Sequence, residues 1–208
     1  MSLFITLEGP EGSGKTSAIK SVKTELEKLG YEIVMTREPG GTDISEQIRN
    51  VILNRSNTKM DPITEALLYA ASRRQHLVEK IWPSIKEGKL VICDRYLDSS
   101  LAYQGYAREI GVEKILGINE YATEGTFPSL TLLFDVTPEV GLARINANSK
   151  REVNRLDLEK ISFHKKVRQG YLELAKKYPD RYVIIDASQP QAKVAEDALN
   201  VIKERLKK

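Results

Sequence analysis

Eight residues near the start of the chain, Gly9-Pro10-Glu11-Gly12-Ser13-Gly14-Lys15-Thr16, have the types and spacing to hold a polyphosphate. They fit the pattern G-x-x-x-x-G-K-[ST], whose glycines let successive backbone N–H groups curl around an anion. Lys15 is expected to reach the β- and γ-phosphates, and the Thr16 hydroxyl to hold a Mg²⁺ bound to them. Ser17 continues the loop into a helix whose positive dipole end faces the same anion. Such a loop is credible only between a strand and a helix. The apolar run Leu3–Leu7 supplies the strand, and Ala18, Ile19, Val22, Leu26 and Leu29 supply the helical stripe, with Gly30 as its stop. The expected ligand is a nucleoside triphosphate.

A Mg²⁺–triphosphate site needs a second acid, and Leu90-Val91-Ile92-Cys93-Asp94 offers one at a strand end. Asp94 beside a full phosphate loop reads as a carboxylate for the metal shell. The other strand-end acid, Asp135, precedes Pro138 and a helix, which suits a turn or cap. Phosphate moved between two nucleotides also calls for cations on both. Arg37, Arg49, Arg73, Arg74 and Arg95 are candidates, because a guanidinium fork grips oxygens in pairs and keeps its charge. Arg37 and Arg95 stand out, each at or just past a strand end, where ligands of parallel sheets gather.

The elements behind these residues alternate from end to end. Strands are expected at Leu3–Leu7, Glu32–Thr36, Leu90–Cys93, Leu130–Asp135 and Tyr182–Asp186. A long helix should run from about Pro62 to Trp82, with Pro83 kinking or ending it, and a last helix should follow Pro190. This pattern gives an α/β fold, a five-stranded mostly parallel sheet covered by helices, in a single domain over 1–208. The segment from Asn146 to Arg155 is polar, basic and poor in large apolar residues, and reads as a short mobile surface lid. Net charge is only +3 over 208 residues with no long basic block, so neither a nucleic-acid polymer nor a membrane is an expected partner. Cys93 stands alone, which excludes an internal disulfide, and its apolar strand makes it a core thiol. His76 and His164 fall in helical patterns and suit surface or packing roles. With no signal-peptide pattern and no apolar run long enough to span a bilayer, the cytoplasm is the expected compartment.

Four segments together resemble the bacterial thymidylate kinases, a nucleoside monophosphate kinase family on the P-loop NTPase fold. They are Gly9 to Thr16, Thr36 to Gly41 (TREPGG), Ala70 to Arg74 (AASRR) and Asp94 to Gly105 (DRYLDSSLAYQG). The resemblance covers essentially the whole chain. It implies transfer of the γ-phosphate of Mg-ATP to dTMP, a step of dTTP biosynthesis, by a homodimer. It implies that Glu11 contacts the acceptor 3′-hydroxyl, while Arg95, Arg37 and Arg49 hold the dTMP phosphate. Tyr69 would stack on thymine, Arg73 would bond its O4, Ser100 and Gln104 would line the base edge, and Ser99 would also bind the substrate. Tyr103 would crowd the sugar 2′ position, the Asp186–Gln189 turn would border the adenine, and Arg144 would also bind ATP. The phosphate loop lacks an arginine, so the family pattern moves the transition-state cation to the lid, where Lys150, Arg151 and Arg155 are candidates. A P-loop kinase for another nucleoside monophosphate or small acceptor is the alternative on this fold. A P-loop ATPase or GTPase switch fits less well, since no Asn-Lys-x-Asp motif is present.

Overall fold

Five short runs of aliphatic and aromatic residues form one sheet, each within one residue of its expected bounds. They are β1 (Phe4–Glu8), β2 (Ile33–Arg37), β3 (Leu90–Asp94), β4 (Leu130–Asp135) and β5 (Tyr182–Asp186). The computed structural model describes residues 4–147 and 155–207. Every strand pairing is parallel, in the order β2-β3-β1-β4-β5. Parallel strands need crossovers, and helices supply them: α1 (Lys15–Lys28), α2 (Asp43–Leu53), α3 (Pro62–His76), α4 (Trp82–Lys86), α5 (Leu97–Ser100), α6 (Val112–Thr123), α7 (Pro138–Ala147), α8 (Ile161–Lys177) and α9 (Gln191–Leu206).

Period-two alternation along the strands divides the core between the two sheet faces. Ile5, Leu7, Ile92 and Phe134 pack with Ile19, Val22 and Leu26 of α1 and Ile202 of α9. Phe4, Val91, Cys93 and Leu133 pack with Leu77, Tyr96, Leu101, Val167 and Tyr171 on the opposite face. At roughly 1.5–3 kcal/mol for each large side chain buried, these two layers dominate the stability of the sheet. Cys93 lies in the second layer with no exposure, and burial raises its thiol well above the usual range. It is a packing residue.

Pro83 does not end its helix. A five-residue π segment, Leu77–Ile81, precedes it, and the helix resumes as α4 to Lys86. Proline lacks an N–H and its ring crowds the carbonyl four residues back, so a wider turn before it accommodates both defects. A second π segment, Leu101–Ala107, follows α5 and carries Tyr103 and Gln104. Asp135 also departs from the turn or cap role: both of its oxygens take bonds from Arg168 of α8, each at 2.7 Å. His76 is buried in the interior, bonded to Thr36 and Glu38, and His164 is 3% exposed, so both are packing residues rather than surface ones. Among the described residues, no helix is long and apolar enough to cross a membrane.

The strand order reverses at β1, whose neighbours are β3 and β4. Ligands of such sheets sit outside the carboxyl ends beside that reversal. The loop after β1 and the turn after β3 therefore face one crevice.

Candidate active site

Two glycines shape the loop after β1. A side chain at Gly9 would place its Cβ 2.4 Å from the Phe134 carbonyl, and one at Gly12 would meet the Gly141 carbonyl at 2.1 Å. Both also have positive φ, 143° and 71°, so the loop can lie this close to β4 and α7 only with glycine there. Lys15 folds back over the loop and donates to Gly9 O at 3.1 Å, Pro10 O at 3.2 Å and Ser13 Oγ at 3.0 Å. Burial, and then the Arg95 charge, lower its pKa to about 8 against the pull of Asp94 and Glu11. An arriving phosphate would oppose that shift. Thr16 Oγ1 donates to Asp94 Oδ2 at 2.8 Å, which brings the two expected metal-shell residues together from β3 and α1.

A cavity of about 400 Å³ opens from this loop toward α3 and the second π segment. Glu11, Arg37, Arg49, Tyr69, Arg73, Arg95, Ser99, Tyr103 and Gln104, all singled out from the sequence, line it. Arg95 sits at φ 69°, an uncommon conformation for a residue with a side chain. Its guanidinium donates to Glu11 Oε1 at 2.9 Å, Ser99 Oγ at 3.2 Å and Tyr171 Oη at 3.0 Å. Tyr103 joins the cluster by donating to Glu11 Oε1 at 3.2 Å, with Arg95 over its ring at 5.2 Å. Arg37 is exposed and paired with Glu46 at 2.8 Å, and Arg49 donates to Pro39 O at 2.9 Å.

Arg73, 1% exposed, lines the same cavity. Its Nε donates to Glu38 Oε2 at 2.8 Å and Nη2 to Tyr96 O at 3.0 Å, while Nη1 serves both Ser100 Oγ and Asn119 Oδ1. Of its five N–H groups, one on Nη2 has no partner among the described residues. Ser100, expected at the base edge, lies behind Arg73 and outside the cavity lining. Tyr69, one helical turn before Arg73, faces the same cavity as the spacing requires.

A second cavity of about 330 Å³ shares Gly12, Ser13, Gly14 and Ser17 with the first and extends toward Gln189 and Val194. The exposed Arg144 lines it, donating to Ala187 O at 2.8 Å. Lys150 and Arg151 lie outside the described residues. Arg155 is not a loose basic group: it is 7% exposed, donates to Ile52 O at 3.0 Å and forms an ion pair with Glu65. It is in neither cavity lining.

Sequence reasoning missed three buried groups that hold this site. Glu8, the last residue of β1, takes bonds from Ser99, Tyr171 and the Tyr96 N–H. Tyr171 of α8 belongs to none of the motifs singled out from the sequence, yet its hydroxyl reaches both Arg95 and Glu8. Glu38 anchors Arg73 and His76 together. For Glu8 and Glu38 a signal existed, an acid at or next to a strand end. None existed for Tyr171.

The profile of the family described as thymidylate kinase matches residues 7–198. A thymidylate kinase of Clostridium novyi (strain NT) is 60% identical over 200 residues, covering 96% of this chain and 98% of its own. One from Bacillus pumilus (strain SAFR-032) is 56% identical, covering 99% of this chain and 97% of its own. The crystal structure of thymidylate kinase from Ehrlichia chaffeensis superposes with a TM-score of 0.77 at 32% identity, covering 96% and 97% of the two chains.

Proposed function

The chain belongs to the thymidylate kinase family, and from that premise we propose how its residues divide the work. It is a nucleoside monophosphate kinase that transfers the γ-phosphate of ATP to dTMP, giving dTDP and ADP. The observation that carries the division of roles is one shared cavity, lined both by the phosphate loop and by the buried Arg73. dTMP would lie between them, its phosphate on Arg95, Arg37 and Arg49 and its base between Tyr69, Arg73 and Gln104. Glu11 and Tyr103, bonded to each other, would border the sugar. ATP would occupy the second cavity, its base beside Arg144 and its triphosphate on Gly9 to Ser17. The paired Thr16 hydroxyl and Asp94 carboxylate are hard oxygen donors that suit Mg²⁺. When bound, Mg²⁺ neutralises charge on the β- and γ-phosphate oxygens.

The chain's own part is positioning and charge. Lys15 would lie along the γ-phosphate, and Arg95, fixed by three bonds, would hold the acceptor oxygen in line with it. No general base is required, since a nucleotide monophosphate is largely ionised at neutral pH. The lid over 146–155 would exclude water, with Lys150 or Arg151 as the transition-state cation. Arg155 would anchor it through Glu65. The whole reaction fits within a single domain. Its partners are nucleotides, with neither a nucleic-acid polymer nor a membrane. These soluble anions do not cross a bilayer unaided, so the cytoplasm is the proposed compartment.

A homodimer is part of this reading. Ile44 and Val51 of α2, Ile63 and Leu67 of α3 and Tyr121 of α6 are large apolar side chains left exposed. Sedimentation giving the mass of one chain would remove that element. A panel of nucleoside monophosphates with Mg-ATP tests the pocket. kcat/KM should fall in the order dTMP, dUMP, dCMP, because cytosine offers an amino donor to Arg73, which can only donate. Ribose TMP should be weakened by Tyr103. Alanine at Lys150 and Arg151 should keep that order and lose turnover. dCMP or AMP matching dTMP would refute the pocket.

A further inference from the structure

Glu65 has so far served only as the partner of Arg155, yet it is 1% exposed on α3, one turn before Tyr69 and two before Arg73. Three side chains donate to it. Gln104 Nε2 reaches Oε1 at 2.8 Å, Arg108 approaches at 3.4 Å, and Arg155 pairs with Oε2. Burial pushes the carboxyl up, but Arg108, the Gln104 bond and Arg155 outweigh it and hold it below the usual carboxylate range. Glu65 is therefore ionised at neutral pH and can only accept hydrogen bonds.

An acceptor-only partner decides which way round the Gln104 amide sits. The NH₂ end must face Glu65, which leaves the carbonyl Oε1 as the end that serves the cavity. Gln104 itself is 1% exposed on the π segment, so the amide is held rather than free to turn. Arg73, which lines the same cavity and bonds Ser100 four residues before Gln104, offers the one N–H on Nη2 that has no partner among the described residues. Together they offer the cavity a donor and an acceptor. The thymine edge is complementary, an acceptor at O4 next to a donor at N3–H. The cytosine edge has both reversed.

We propose that Glu65 is a positioning residue for acceptor specificity: it locks the Gln104 carbonyl toward the base, so the pocket takes a pyrimidine with a protonated N3 and rejects one with a bare N3. This rests on the reading that the acceptor base lies between Tyr69, Arg73 and Gln104. Arg108 and Arg155 act one step further back, keeping Glu65 charged.

Steady-state kinetics with dTMP and dCMP on four proteins test it: wild type, Glu65→Gln, Gln104→Met and the double variant. Glutamine at 65 can donate or accept, so the Gln104 amide is free to reverse. The dTMP-to-dCMP ratio of kcat/KM should fall about tenfold in Glu65→Gln, through the dTMP KM with kcat nearly kept. Gln104→Met should lower the ratio similarly, and the double variant should lower it no further than Gln104→Met alone. A purely structural Glu65 would change stability and leave the ratio alone. If Gln104→Met lowers the ratio and Glu65→Gln does not, the proposal falls while the pocket stands. If Gln104→Met leaves the ratio unchanged, the base does not lie there and both fall. NMR of the wild-type protein needs no folded Glu65 variant. The Gln104 side-chain NH₂ should exchange slowly with solvent both with and without dTMP, and fast exchange in the free protein would overturn the lock.

Discussion

The two cavities that meet at the phosphate loop are held by different means. On the acceptor side the guanidinium of Arg73 is buried and makes bonds to four different residues, and Arg95 makes three. Behind them stand the buried acids Glu8, Glu38 and Glu65. On the donor side Arg144 is exposed and rests on backbone carbonyls of Ala187 and Ser188. Beyond the loop, the lining there includes Gln189, Gln191 and Val194, with no carboxylate among the described lining residues. Discrimination costs burial: a polar group rejects a wrong partner strongly only when it cannot turn to water instead. The acceptor pocket is built for choosing a base, and the donor pocket for holding a triphosphate that the loop already recognises.

The contrast breaks first at its two arginines. Arg73→Met should cost about 3–5 kcal/mol of stability, because it strands the Glu38 carboxylate, which is itself 5% exposed. It should also remove the preference for dTMP over dCMP. Arg144→Met should leave the urea midpoint in place and change the ATP KM by about threefold or less, as exposed cations usually do. Denaturation curves and acceptor and donor kinetics on the two variants decide. Equal effects on both sides would mean that burial does not separate the pockets.

Much of this architecture is legible in the amino-acid sequence. The strands are short aliphatic runs, and a run of that kind bounded by Gly, Pro or Asp has few other uses in an α/β chain. The glycine loop is legible because its spacing is tied to backbone geometry that only glycine meets, as Gly9 and Gly12 show. Helical spacing alone places Tyr69 and Arg73 on one face. It does not give their partners. Arg73 pairs with Glu38, thirty-five residues away, and Tyr171 meets Glu8 across a separation of 163. Periodicity gives the face of an element and says nothing about which element it will meet. Arg155 reads as an exposed cation because its neighbours in sequence are polar, whereas its burial is set by Glu65 on a different helix. Pro83 reads as a kink or a stop because the π turn that admits it leaves no mark in the pattern of apolar residues.

The smaller test asks whether the acids behind the acceptor pocket leave a signature that the donor pocket lacks. Glu8 is wholly buried, and burial, followed by the nearby Asp98 carboxylate, raises its pKa from 4.5 to about 7 against the Ser99 and Tyr171 bonds and the Arg95 charge. Between those values the folded protein keeps a proton that the unfolded chain has released. Stability from this group is therefore full below about pH 4.5 and declines as pH rises toward 7, a loss of about 3 kcal/mol at most. Glutamine at this position cannot titrate. The difference in unfolding free energy, wild type minus Glu8→Gln, should shrink between pH 5 and 7.5 in urea titrations at fixed ionic strength. Arg144→Met should keep the wild-type pH dependence, since no carboxylate lines its cavity among the described residues. A constant difference for Glu8→Gln would mean that Ser99, Tyr171 and Arg95 keep the carboxylate ionised. The support of the acceptor pocket would then be a fixed charge network rather than one that takes up a proton.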